Sequence, residues 1–245
     1  MTTHDSGRRR ALIRVALAAA FSLALMGCVD GVIGLRGSGD MSSETRDVDG
    51  FTEIVLEGSG EVNIEIGDRE SLTIEAEDNL MSHLTSEVES GRLVLGTSGS
   101  IVTTRGIVYT ITATELEGVT LSGSGDVEVA DVTAATFSTV ISGSGTVDVA
   151  NLMADRLEVA ISGSGDVDVT GALDELDVDI PGSGSFDGEG LESATGDVSI
   201  SGSGAAVVNV TDTLTANVSG SGSIEYLGNP AVSSTISGSG SIKPR

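Results

Sequence analysis

Leu121-Ser122-Gly123-Ser124-Gly125, followed by the alternating run Asp126-Val127-Glu128-Val129, is the stretch on which the fold turns. The same arrangement returns behind Ile141, Ile161, Ile180 (with Pro181 in place of the first serine), Ile200, Val218 and Ile236. The first glycine of each tetrad stands at 123, 143, 163, 182, 202, 220 and 238, giving steps of 20, 20, 19, 20, 18 and 18 residues. A beat this regular marks a repeat array. Two earlier triplets, Gly37 to Gly39 and Gly58 to Gly60, lie 21 residues apart and carry the period towards the N-terminus.

The repeat can be read in columns. Two residues ahead of each first glycine stand Leu121, Ile141, Ile161, Ile180, Ile200, Val218 and Ile236, and two further back Val119, Thr139, Val159, Val178, Val198, Ala216 and Ser234. Behind the tetrads come Val127, Val147, Val167, Phe186, Ala206, Ile224 and Ile242. Period two with one apolar face describes strands, and these columns point inward. Repeating the same strand position every 18 to 20 residues stacks one coil on the next. That predicts an all-β fold, a right-handed parallel β-helix or β-solenoid, the hand following the usual crossover rule. A propeller blade would need about 40 residues. Residues 47 to 242 leave room for about ten coils, and stacking at about 4.8 Å makes a rod roughly 45 to 50 Å long.

The tetrads are then corners. The pairs Gly123 and Gly125, Gly143 and Gly145, Gly163 and Gly165, Gly182 and Gly184, Gly202 and Gly204, Gly220 and Gly222, and Gly238 and Gly240 are expected to allow positive φ and close approach of neighbouring coils. Their serines are expected to bond turn backbone and each other. One segment breaks the strand pattern. Leu80, Met81, Leu84 and Val88 recur at helical spacing behind Asp78 or Asn79, predicting a short helical segment near residues 78 to 88.

The chain of 245 residues has four Phe, two Tyr and no Trp, so its core is aliphatic and suits thin repeated layers. It carries 12 Lys plus Arg against 37 Asp plus Glu, with Lys243 the one lysine. Four of the arginines lie in residues 1 to 27, which leaves 8 basic against 36 acidic side chains and a net of −28 for the remainder. Such a body repels phosphate backbones, so nucleic acid is an unsuitable partner. An acidic, Lys-poor surface also suits a salty habitat.

Residues 1 to 27 read as an export signal: Arg8, Arg9, Arg10 and Arg14, then the apolar run Val15 to Met26. Leu25-Met26-Gly27-Cys28 resembles the lipobox of bacterial lipoprotein precursors, which implies lipidation of Cys28, a membrane anchor and an extracytoplasmic location. Arg9 and Arg10 also suit the twin-arginine export route. Residues 28 to 46 then form the lipidated cysteine and a Gly-rich flexible tether, and residues 47 to 245 a single β-helix domain.

Gly50-Phe51-Thr52-Glu53-Ile54 with Gly58-Ser59-Gly60-Glu61-Val62, then Leu72-Thr73-Ile74-Glu75-Ala76-Glu77-Asp78-Asn79-Leu80, then Leu116-Glu117-Gly118-Val119-Thr120-Leu121 leading into its tetrad, together resemble the head GIN domain family of auto-transporter adhesins. The resemblance covers about residues 47 to 242. It implies a right-handed parallel β-helix on exported or lipid-anchored bacterial proteins, and an adhesive role, with no reaction attached.

The residues themselves point away from catalysis. The tetrad serines lack a base, since the one histidine behind the export signal, His83, lies in the segment predicted to be helical. Polysaccharide-active β-helix enzymes need long loops between coils, whereas the coils after residue 121 are minimal. The outward positions instead stack Asp126, Glu128, Asp148, Asp166, Asp168 and Asp187, an acidic ladder whose repulsion a divalent cation such as calcium would relieve. A solvated acidic face is the plainer reading. The chain is thus expected to be a non-catalytic, surface-exposed module binding a protein or glycan, with an envelope scaffold or spacer as the alternative.

Overall fold

The computed structural model describes residues 34–245. The predicted signal peptide and Cys28 lie outside them. Nine short strands come first: β1 (Leu35–Arg36), β2 (Met41–Arg46), β3 (Glu53–Leu56), β4 (Glu61–Ile66), β5 (Ser71–Glu77), β6 (Leu84–Glu89), β7 (Arg92–Thr97), β8 (Ile101–Val102) and β9 (Val108–Ala113). The repeats follow as β10 (Gly118–Leu121), β11 (Asp126–Ala130), β12 (Thr133–Ile141), β13 (Thr146–Ile161), β14 (Asp166–Ile180), β15 (Ser185–Ile200), β16 (Ala205–Gly220), β17 (Ser223–Leu227), β18 (Ala231–Gly238) and β19 (Ser241–Pro244).

These strands build a β-solenoid of stacked parallel coils, as the repeat predicts, with about six turns. Register follows the columns: Leu121 sits against Ile141, Ile141 against Ile161, Ile180 against Ile200, and Val218 against Ile236. Within one coil the buried positions run 127 and 129, then 132, then 137, 139 and 141. The three-residue step from 129 to 132 breaks the alternation, so the chain bends there as well as at the tetrad. Asp131 and Asn151 hold one of these bends with positive φ (54° and 55°), and Asn151 Nδ2 donates to Asp131 Oδ1 at 2.9 Å.

At the tetrads the glycines serve close approach more than unusual φ. A Cβ on Gly143 would lie 1.7 Å from the Gly123 carbonyl oxygen, and one on Gly145 would lie 1.8 Å from that of Gly125. Among the tetrad pairs only Gly220 and Gly238 have positive φ. The serine N–H groups carry the ladder through the corner, Ser142 N donating to Leu121 O at 2.8 Å and Ser144 N to Gly123 O at 2.9 Å. The expected serine hydroxyl network is absent among the described tetrads: only Ser162 Oγ donates to backbone, at 3.3 Å to Ile141 O, and the other tetrad hydroxyls face water.

The N-terminal part departs from sequential stacking. β3 pairs in parallel with β7 on one side and β10 on the other, and β4 likewise with β9 and β11. The layer of β3 and β4 therefore lies between the layer made 40 residues later and the first regular repeat. β6 then runs antiparallel to β7, and β5 antiparallel to both β9 and β2. These reversals use chain that a ten-coil rod would need, which is why the number of turns is nearer six. Residues 34–46, expected to belong to a tether, supply β1 and β2 to the body. Gly37 to Gly39 is no corner of the stack.

The helical segment expected near residues 78 to 88 reduces to one 3-10 turn, Met81–His83, followed directly by β6. Leu80, Met81 and Leu84 are buried as predicted, but through a turn and a strand, and Val88 is exposed. Spacing of three and four around a tight turn gave the same apolar pattern as a helix. The core is aliphatic throughout, with Phe51, Phe137, Phe186 and Tyr109 as its fully buried aromatics. Burial pushes the Tyr109 phenol up to about 12.

Candidate functional site

The outward side of the strands behind the tetrads holds the sequence-predicted acids. Register places Asn63, Glu128, Asp148, Asp168 and Asp187 in one column, continued by Val207, Glu225 and Lys243. A second column sets Asp126 beside Glu61 and Thr146, then Asp166 beside Ser185, so here acids alternate with hydroxyls in part. Ser185 Oγ donates to Asp166 Oδ1. Beyond the acids a third column of Ala130, Ala150 and Thr170 is small, and the difference in side-chain height leaves a shallow groove of about 400 Å³.

Parallel stacking explains why like charges end up together. Each coil reproduces the outward carboxylate of the previous one, at a spacing where water screens but does not abolish repulsion. Asp168, in the middle, has its carboxyl raised above the usual range, first by partial burial and then by Asp148, Asp187 and Asp166. Among the described residues no three His, Cys, Asp or Glu side chains converge as a metal cage would require. The acids form a line along the stack.

Two polar clusters were not visible in sequence. Glu77 is completely covered, and its carboxylate accepts from Thr104 Oγ1 (2.6 Å), Thr104 N (2.9 Å), Thr103 Oγ1 (2.8 Å) and Gly39 N (3.0 Å). The Thr104 bonds above all hold its acidity down to about 2 despite burial. Arg156 reaches Glu158 (2.9 Å) on its own strand, and Glu175 (2.5 Å) and Asp177 (2.9 Å) on the next coil. Both clusters join segments of the fold. His83 Nδ1 and Ser82 Oγ are hydrogen-bonded at 3.2 Å, a contact of adjacent surface side chains that involves no tetrad serine.

A family model described as putative auto-transporter adhesin, head GIN domain, matches residues 50–230. Among solved structures, one called a putative adhesin from Bacteroides fragilis is 26% identical with a TM-score of 0.80, over 86% of this chain and 100% of that one. Another putative adhesin, from Parabacteroides distasonis, is 25% identical with a TM-score of 0.74, again over 86% and 100%. A third, called a putative lipid binding protein from Parabacteroides distasonis, shares the fold at 24% identity and TM-score 0.72, over 86% and 99%. No curated protein matches the chain.

Proposed function

The chain belongs to the head GIN domain family, and from that premise we propose that it is a non-catalytic adhesion module of the bacterial envelope. In this reading Cys28 carries lipid and holds the body on the extracytoplasmic face of a membrane. The face formed by β11 and the strands stacked on it meets the ligand, an extended protein or glycan. The observation that carries the reading is the unbroken outward column Glu128, Asp148, Asp168 and Asp187 beside the Ala130 and Ala150 floor. A flat, rigid, charged strip without loops above it offers many equivalent contacts and no enclosed pocket, which fits adhesion better than turnover.

Glycan-array and pull-down screening of the full chain tests the ligand. Binding that falls when Asp148→Asn and Asp168→Asn are combined supports the reading. No ligand in either screen, with an envelope defect on deletion, would favour a spacer instead. Metabolic labelling with a fatty acid tests the anchor separately, with Cys28→Ala expected to abolish the label.

A further inference from the structure

We propose that the C-terminal end of the solenoid docks a second copy of this chain, tail to tail. The first observation is exposure. In an interior coil Leu214, Ala216 and Val218 are buried, but the residues stacked on them, Val232, Ser234 and Ile236, are exposed, Val232 at 39% and Ile236 at 46%. The inward columns continue into the last described coil, and among the described residues no further layer covers them.

The second observation is the backbone. Among the described residues β18 pairs with β16 alone and β19 with β17 alone, so within them the far edge of the eight-residue β18 presents unpaired N–H and C=O groups. An uncharged edge of this kind is a template for another strand. The opposite end is finished differently. There β7 and β9 are covered by β6 and β5, and the outermost strands carry Glu44, Arg46, Glu87 and Glu89.

Charge selects the occupant. Residues 229–245 contain no Asp or Glu in a chain of net charge −25. Their two cations are engaged within their own chain, Lys243 with Glu225 at 3.0 Å and Arg245 with Glu189 at 2.8 Å. Two copies meeting through the acidic columns would set carboxylates against carboxylates; at this end they would not. A layer that buries Val232 and Ile236 must also match the outline of a coil and bond its edge. The last coil of a second copy has that outline and the same free edge. Since the same surface is used by both copies, the contact is isologous and closes at two.

The test uses the full chain with Cys28→Ser, free of lipid and of competing thiol. Sedimentation velocity from micromolar to millimolar concentration is expected to show monomer giving way to dimer. Val232→Lys with Ile236→Lys is expected to weaken that association by about tenfold or more, with only a small fall in the monomer's melting temperature because both side chains are already in part exposed. A spin label on Ser237→Cys should report a short distance between copies, and one on Ser86→Cys in β6 should not. A monomer throughout, growth beyond dimers, or a dimer that the lysines leave intact would overturn the proposal. If the double variant melts early, the Ser237 and Ser86 distances decide alone. A short distance at Ser86 in place of Ser237 counts against it.

Discussion

Residues 118–245 and residues 34–113 both bury aliphatic side chains between β layers, yet they hold those layers together differently. The repeats rely on translation: one corner, one register and one set of inward columns recur, and the backbone ladder runs straight through each tetrad. The N-terminal part reverses direction and is tied by side chains across long sequence distances. Glu77 joins Gly39 to Thr103 and Thr104, and Arg46 donates to Leu84 O (2.8 Å), Ser86 Oγ (3.1 Å) and Met81 O (3.2 Å). Repetition makes each contact generic; closing the end of a stack requires specific ones.

The comparison breaks first at a tetrad. Gly145→Val would drive side-chain atoms into the Gly125 carbonyl and the Leu121 methyl, 1.8 and 2.6 Å from the new Cβ. Neither neighbour can move without parting two coils, so a loss of about 3 kcal/mol or more is expected in denaturant unfolding, at the severe end for single substitutions. Gly99→Ala in the N-terminal part meets nothing within 4 Å and loses only its positive φ of 88°, at about 1 kcal/mol. Equal losses at the two positions would mean that the corners are not held by backbone contact.

Next in size is the apolar column. Ile161 is fully buried, and Ile161→Ala should cost about 3 kcal/mol. Ile236→Ala, in the same column at the open end, should cost less than about 1 kcal/mol in the monomer. The ratio of the two measures how far the last coil is sealed.

The N-terminal ties should show themselves in acid. Its hydrogen bonds, those from Thr104 first, hold the Glu77 carboxyl at about 2, below the 4.5 of a free glutamate, so it stabilises the fold above pH 4.5, and that contribution is lost as pH falls towards 2. Thermal melts of Glu77→Gln should start lower at neutral pH and change less than the parent over this window. A parent with a flat profile from pH 5 to about 2 would remove Glu77 from its role as a tie.

These outcomes also mark what was legible. Inward columns, corners and acidic ladder could be read because a period relates each residue to its neighbour one coil away. The order of the layers could not. Gly58 lies beside Gly123, so two similar corners 65 residues apart are in contact, and nothing local distinguishes that from a stack in chain order. Glu77 looked like one more acid in an acidic chain, because its partners Thr103 and Thr104 lie 26 and 27 residues away. The tetrad serines invited a hydroxyl network, whereas the backbone N–H groups met the need and left the hydroxyls to solvent.

The smallest effect tests the generic half from within. Thr139 occupies the inward column between Val119 and Val159, is fully buried, and its hydroxyl has no hydrogen-bond partner. A buried hydroxyl without a partner loses its hydration and gains nothing in return. Thr139→Val keeps the shape, removes the polar atom and should stabilise by about 1 kcal/mol. The melting temperature should rise at every salt concentration, because no charge is involved. Asp168→Asn should also stabilise, since the folded site disfavours its charge, but by less than about 1 kcal/mol, and by less still at high ionic strength, where salt screens the neighbouring carboxylates and leaves only the effect of partial burial. A salt-dependent gain at Thr139, or a gain at Asp168 that salt does not reduce, would mean that the inward and outward columns do not divide packing from electrostatics as the stacked register implies.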